Sequence, residues 1–239
     1  MIEFVTEDIR MITIIAQQTF ILGFFSFLIY KILKSEKSRK TYRLVLFYLL
    51  NITFTTVNLV YAFIKLNPLT FWLHFTSVYL MLLSPVFYYV FNMMILKSEE
   101  LLDTRLEIII VVIYSSTLFI TMFISGFLFQ GITIDQSTAW RPVWTMNFVI
   151  PMYILITIIC LIPSLMRSMQ ILRLIKNEEL RKRWKILSLG FFMLIGIGYG
   201  VFIYNSWNNT TFKIIWLLFS LIISPTAALL IHYGFRSLH

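Results

Sequence analysis

Seven long apolar stretches run the length of this chain, and the connections between them alternate between strongly basic and nearly neutral. Each stretch has the roughly 20 residues that a helix rising about 1.5 Å per residue needs to cross a hydrocarbon layer of about 30 Å. Lipid offers no hydrogen bonds, so irregular backbone and open sheet edges are excluded from its interior. Runs this long and this continuously apolar predict an all-α polytopic membrane protein, a seven-transmembrane helical bundle forming a single domain over residues 1–239. The spans are expected at about residues 12–33, 44–64, 72–96, 108–129, 143–166, 186–204 and 212–235.

Composition agrees. The chain is 59% hydrophobic and 13% charged, against about 25% charged residues in ordinary globular domains. Seven spans and their connections use nearly all of its 239 residues, so no soluble kinase, nuclease or hydrolase domain is expected within it. The net charge of +9 is a topology signal, because the alternate connections divide it unevenly. One side holds 16 of the 20 basic and 7 of the 11 acidic residues, and so carries the whole excess, while the other side has four of each. Lys and Arg concentrate on the cytoplasmic face, where anionic headgroups neutralise them. The expected arrangement is therefore a multi-pass cell-membrane protein with its amino terminus outside and its carboxyl terminus in the cytoplasm. The same reasoning argues against a nucleic-acid partner. The acidic start, MIEFVTEDIRM, lacks the basic region and cleavage site of a signal peptide.

Side-chain chemistry is sparse. Cys160 is the only cysteine and lies in an apolar run, so neither a disulfide nor a thiolate metal site is expected. No Asp or Glu falls mid-span, which weakens an ion-coupled transporter. Lys213 sits at the outer end of the last span rather than at its middle, where a retinal lysine would be needed. His74 and His232 lie near opposite faces and do not form a metal or haem pair. No catalytic residue, metal or cofactor is expected, and the chain reads as a non-enzyme.

Polar residues within the spans follow helical spacing: Asn51, Thr55 and Asn58 on the second; His74, Ser77, Met81, Ser84 and Tyr88, beside Pro85, on the third; Tyr114, Thr117, Thr121 and Ser125 on the fourth. Polar groups are costly against lipid and turn inward, where they either bond helices together or line a ligand cavity. Trp72, Trp140, Trp144, Trp207 and Trp216 fall near outer span ends, as anchors in an aromatic belt or as walls of an outward-facing pocket. Arg141 stands between Trp140 and Trp144, and suits an anion, stacking on a ring, a lipid phosphate or a pair with Asp135. Asn58, Trp72, His74, Arg141 and Trp144 are the expected ligand-binding residues of an outer cavity between spans 2, 3, 5 and 7. On span 6, Gly196-Ile-Gly-Tyr-Gly200 has the small-residue spacing that lets helices approach closely.

The order of these features resembles the seven-transmembrane sensor region of bacterial and archaeal histidine kinases. The resemblance runs over nearly the whole chain, through Phe71-Trp-Leu-His-Phe-Thr-Ser-Val-Tyr79, Leu83-Ser-Pro85-Val-Phe-Tyr-Tyr-Val-Phe91, Trp140-Arg-Pro-Val-Trp144, Arg181-Lys-Arg-Trp-Lys185 and His232-Tyr-Gly-Phe-Arg236. It implies a bundle that senses an external or membrane-borne cue and passes it to a catalytic domain. Here that domain is expected on a separate cytoplasmic signalling protein, since no kinase follows span 7. The expectation is thus a sensor- or receptor-like module embedded in the lipid bilayer. The alternatives are a structural or accessory subunit working with other membrane subunits and, behind it, a transporter or channel.

Overall fold

The computed structural model describes residues 2–35, 37–97 and 103–235. Its helices are α1 (Ile2–Ser35), α2 (Arg39–Phe63), α3 (Leu69–Lys97), α4 (Thr104–Leu128), α5 (Met146–Leu174), α6 (Glu178–Ser206) and α7 (Thr210–Phe235). A short antiparallel pair, β1 (Ile132–Thr133) and β2 (Val143–Trp144), joins α4 to α5. All seven helices are long and apolar enough to cross a membrane. The protein is an all-α, multi-pass membrane bundle.

Local chemistry sets the helix ends. The Ser38 hydroxyl accepts from the Thr41 amide at the start of α2, and Asp103 does the same for Arg105 at the start of α4. Asn177 accepts from the amides of Glu179 and Leu180 and so starts α6 well before its apolar run, with Glu178 and Glu179 on the favourable side of the helix dipole. The basic segment between the spans expected at 143–166 and 186–204 is consequently mostly helical. Arg167 and Arg173 lie on α5, Arg181 to Lys185 lie on α6, and only residues 175–177 connect them.

Prolines are accommodated inside the spans. Pro85 cannot donate to the Met81 carbonyl, and the Ser84 hydroxyl does so instead at 3.0 Å. On α5 a π-helical turn, Ile156–Leu161, directly precedes Pro163, widening the backbone where a regular ladder would be broken. A second π-helical turn, Phe123–Leu128, ends α4.

The central helix is α3, which packs on α2, α4, α5 and α6. Within its most apolar window 61% of residues are buried, against 17–33% in the other six helices. The connections α2–α3, α4–α5 and α6–α7 lie at one end, called here the β-end, and those rich in Lys and Arg lie at the opposite, basic end. Two apolar cores result. One, near the β-end, joins α3, α4, α5 and α6 around Tyr114, Met122, Trp144, Phe148 and Phe202. The other, near the basic end, joins α1, α2, α3, α6 and α7 around Tyr48, Tyr88, Trp184 and Phe191.

Glycine lets α6 and α7 touch, but not where the sequence suggested. A Cβ at Gly190 would stand 2.7 Å from the Ala227 carbonyl oxygen, and one at Gly234 would stand 2.7 Å from the Leu187 amide nitrogen. Both contacts are toward the basic end. Gly196 and Gly198, by contrast, have nothing within 4 Å of the position a Cβ would take. The Gly196–Gly200 stretch therefore closes the interface only at Gly200, beneath Trp216.

Candidate ligand cavity

Toward the β-end α1, α2, α3, α6 and α7 leave a cavity of about 250 Å³ between them. Its lining on α3 runs from His74 to Pro85, a depth of about 16 Å at about 1.5 Å per residue. The cavity is therefore elongated along the bundle. The α4–α5 connection contributes Arg141, Pro142 and Trp144 to the lining.

That connection is shaped by its own backbone. Gly131 is required because a Cβ there would come within 2.2 Å of the Ser125 carbonyl oxygen and 2.7 Å of the Phe148 Cβ. The register Ile132↔Trp144 then fixes the β pair and turns Trp144 into the core, where it is 1% exposed. Between the strands, the Asp135 carboxylate accepts from the Ser137 hydroxyl and from the amides of Ser137 and Thr138. The Ser137 hydroxyl foremost holds the Asp135 carboxyl below the usual carboxylate range, helped by the two amides and opposed by partial desolvation. Ala139 and Trp140 follow in the left-handed region, at φ 51° and 58°. That conformation is costly for a bulky side chain and is held here by the amides of Trp140 and Arg141, which donate to Asp135 and Thr138 carbonyls. The chain is thereby delivered to Arg141 at the cavity.

His74 and Trp144 form one unit. The Trp144 indole N–H donates to His74 Nε2 at 3.1 Å. With Nε2 accepting, the neutral imidazole carries its proton on Nδ1. Nδ1 is buried and has no hydrogen-bond partner among the described residues. The Tyr61 ring stands edge-on to the imidazole at 5.0 Å. His74, one of the lining residues, thus carries an unused buried donor beside the cavity.

Farther from the β-end, Gln17 Nε2 donates to the Ser224 hydroxyl at 2.9 Å and ties α1 to α7. Its neighbour Gln18, 7% exposed, also lines the cavity, and its side-chain oxygen has no partner among the described residues. Two cations, Arg141 and Lys213, are among the lining residues, and none of the described lining residues is acidic. Among the described residues, no three His, Cys, Asp or Glu side chains come together in a way that would hold a metal ion.

Of the five residues expected to bind ligand, Asn58, His74, Arg141 and Trp144 line this cavity. Trp72 does not: it is 38% exposed and its ring packs on Phe71, Phe75 and Phe127. The helices also differ from those expected. Span 5, expected over 143–166, contributes only Trp144 and Ile156, whereas α1 and α6 supply much of the wall. Gln17, Gln18, Ser220 and Ser224 were missed, although adjacent glutamines in an apolar span and serines four apart on another are the pattern of inward-facing polar groups. Lys213 was read only for its height in the membrane. Comparison with protein-family models, with curated protein sequences and with solved structures gave no match.

Proposed function

We propose that this protein is a non-catalytic membrane receptor whose cavity binds a small or lipidic ligand from the outer side. The observation that carries this reading is the His74 donor, oriented by Trp144 and left without a partner in the wall of a cavity between helices. A buried polar group without a partner costs about 1–3 kcal/mol, and a ligand acceptor atom would recover that energy.

In this reading the β-end faces outward and the basic end faces the cytoplasm. Ligand shifts the population between two packings of α1, α2, α6 and α7, and a separate signalling protein reads the change at the basic end. This is the role implied by the resemblance to histidine-kinase sensor regions.

Thermal unfolding in neutral-lipid nanodiscs against a panel of small molecules and lipids tests the reading. At least one compound should stabilise the wild type and lose that effect in His74→Ala and Arg141→Ala variants that still fold. A panel in which no compound distinguishes wild type from either variant would sink the proposal. Stoichiometric membrane subunits co-purifying in mild detergent, with an empty cavity, would instead point to an accessory subunit.

A further inference from the structure

The lining of the cavity says more about its ligand than that it is small. The wall is elongated and mostly apolar along its length, with Ile14, Ile21, Phe54, Leu194, Ile197 and Leu217 among its members. The lining residues that carry strong donors are His74, whose Nδ1 is buried beside the cavity, Arg141 and Lys213. His74 is only five residues into α3 and Lys213 only three into α7, so both lie toward the β-end, the end to which Arg141 also belongs. All three groups donate hydrogen bonds, and two carry charge. Lys213 already donates to Asn208 at 3.4 Å and stands 5.8 Å from the centre of the Tyr204 ring. A lysine ammonium has three donor hydrogens and an arginine five, so each can serve several acceptors at once.

We infer that the cavity takes a single-chain amphiphile with an anionic oxygen head group, a carboxylate or a phosphate. The head group accepts from His74 Nδ1, Arg141 and Lys213, and the chain runs inward along the apolar wall toward Pro85. The inference rests on the cavity being a ligand site and adds the ligand's chemistry. Hydrogen bonds from charged donors to an anion are about twice as strong as neutral ones. A neutral head of the same chain length forfeits that gain.

The test uses the full chain in phosphatidylcholine nanodiscs and three probes of equal chain length: dodecanoate, dodecyl phosphate and dodecanol. Binding is followed by thermal shift and by tryptophan fluorescence, which Trp144 and Trp216 in the wall make sensitive. Arg141→Gln and Lys213→Gln should each weaken the two anions by about ten-fold and leave dodecanol nearly unchanged. Lys213→Arg should restore anion binding, which separates loss of charge from loss of fold. Adding lysophosphatidylglycerol, a single-chain anionic lipid, to the discs distinguishes the source. Displacement of dodecanoate assigns the anion to the bilayer, and no displacement assigns it to a water-borne amphiphile; both fit the anionic site. Equal losses for dodecanol and the anions in the glutamine variants would overturn the anionic assignment and leave the ligand cavity standing. If none of the three probes binds while other compounds do, this inference falls alone. If nothing binds, the receptor reading falls with it.

Discussion

The same helices, α1, α2, α6 and α7, behave differently at their two ends. Toward the basic end they close on one another: Gly190 and Gly234 bring α6 and α7 to backbone contact, and Phe47 of α2 meets Phe191 of α6 edge-on at 4.9 Å. Toward the β-end they part around about 250 Å³ of space lined by Asn51, Asn58, Gln17, Gln18 and His74. Apolar packing against lipid provides little drive for helices to associate, so close backbone approach and interhelical hydrogen bonds must supply it. The basic end has both, with Ser168 and Ser188 hydroxyls 2.7 Å apart between α5 and α6. Around the cavity Gln17 and Ser224 still bond α1 to α7, but Asn51, Asn58, Gln18 and His74 line open space. A bundle fixed at one end and open at the other can change its packing at the open end at lower cost.

The largest expected effect tests the fixed end. Glu107, 3% exposed, pairs with Arg39 and Arg43 and so joins the start of α4 to the start of α2. The double substitution Arg39→Met with Arg43→Met leaves that carboxylate buried and unpaired, which should cost about 3–5 kcal/mol. Glu107→Gln strands two arginines that are 26% and 22% exposed and retain access to water or headgroups, so it should cost less. Unfolding in detergent would measure both, and the reverse order would mean that the pair does not anchor this end.

The next test compares two glycines on one helix. Gly190→Ala forces a methyl into the Ala227 carbonyl and the Ile231 side chain and should destabilise by about 1–3 kcal/mol. Gly198→Ala meets nothing within 4 Å and should be neutral or stabilising by up to about 1 kcal/mol, because alanine favours helix more than glycine does. The two should have opposite signs. Equal destabilisation by both would mean that the β-end is as tightly packed as the basic end.

A smaller effect is expected within the cavity wall. Trp144→Phe keeps the ring packed on Phe148 and Phe202 but removes the donor to His74 Nε2. The loss should be about 1 kcal/mol in stability, and it frees the imidazole to exchange tautomers. Ligand affinity should fall more than stability does, since the Nδ1 donor is no longer assured. Equal binding by wild type and Trp144→Phe would remove the tautomer from the account.

The spans were legible in the sequence because a membrane helix carries its signal in twenty consecutive residues. The inward faces were legible too. Tyr114 and Ser125, about three turns apart on one stripe, are buried, and so are Ser77 and Ser84 below His74. The sequence could not show which helices part from one another. Gly190 and Gly196 look alike in an apolar run, yet only one has a neighbour against its backbone. Trp72 and Trp144 look alike as tryptophans near span ends, and only the β1–β2 register turns Trp144 inward. These distinctions depend on partners far away in the chain, such as Ala227 for Gly190 and His74 for Trp144.

The smallest effect belongs to the turn that carries Arg141. Asp135 is charged in the folded turn, and the Ser137 hydroxyl and the Ser137 and Thr138 amides that it accepts from favour that charge. Its carboxyl is therefore held below the ordinary range in the folded protein. The resulting stabilisation is fully present above the ordinary carboxylate range and is lost as pH falls through the lowered value. Acidification should thus loosen residues 135–141 while leaving the seven helices intact. The protection of the Ser137 and Thr138 amides, relative to the intrinsic exchange rate at each pH, should fall at acid pH in the wild type and be low at every pH in Asp135→Ala. If Arg141 depends on this turn for its position, anionic ligand affinity should fall over the same acid range in wild type and be uniformly lower in Asp135→Ala. Protection that falls equally in the helices and in the turn would show that acid acts on the whole bundle and that the turn has no separate role.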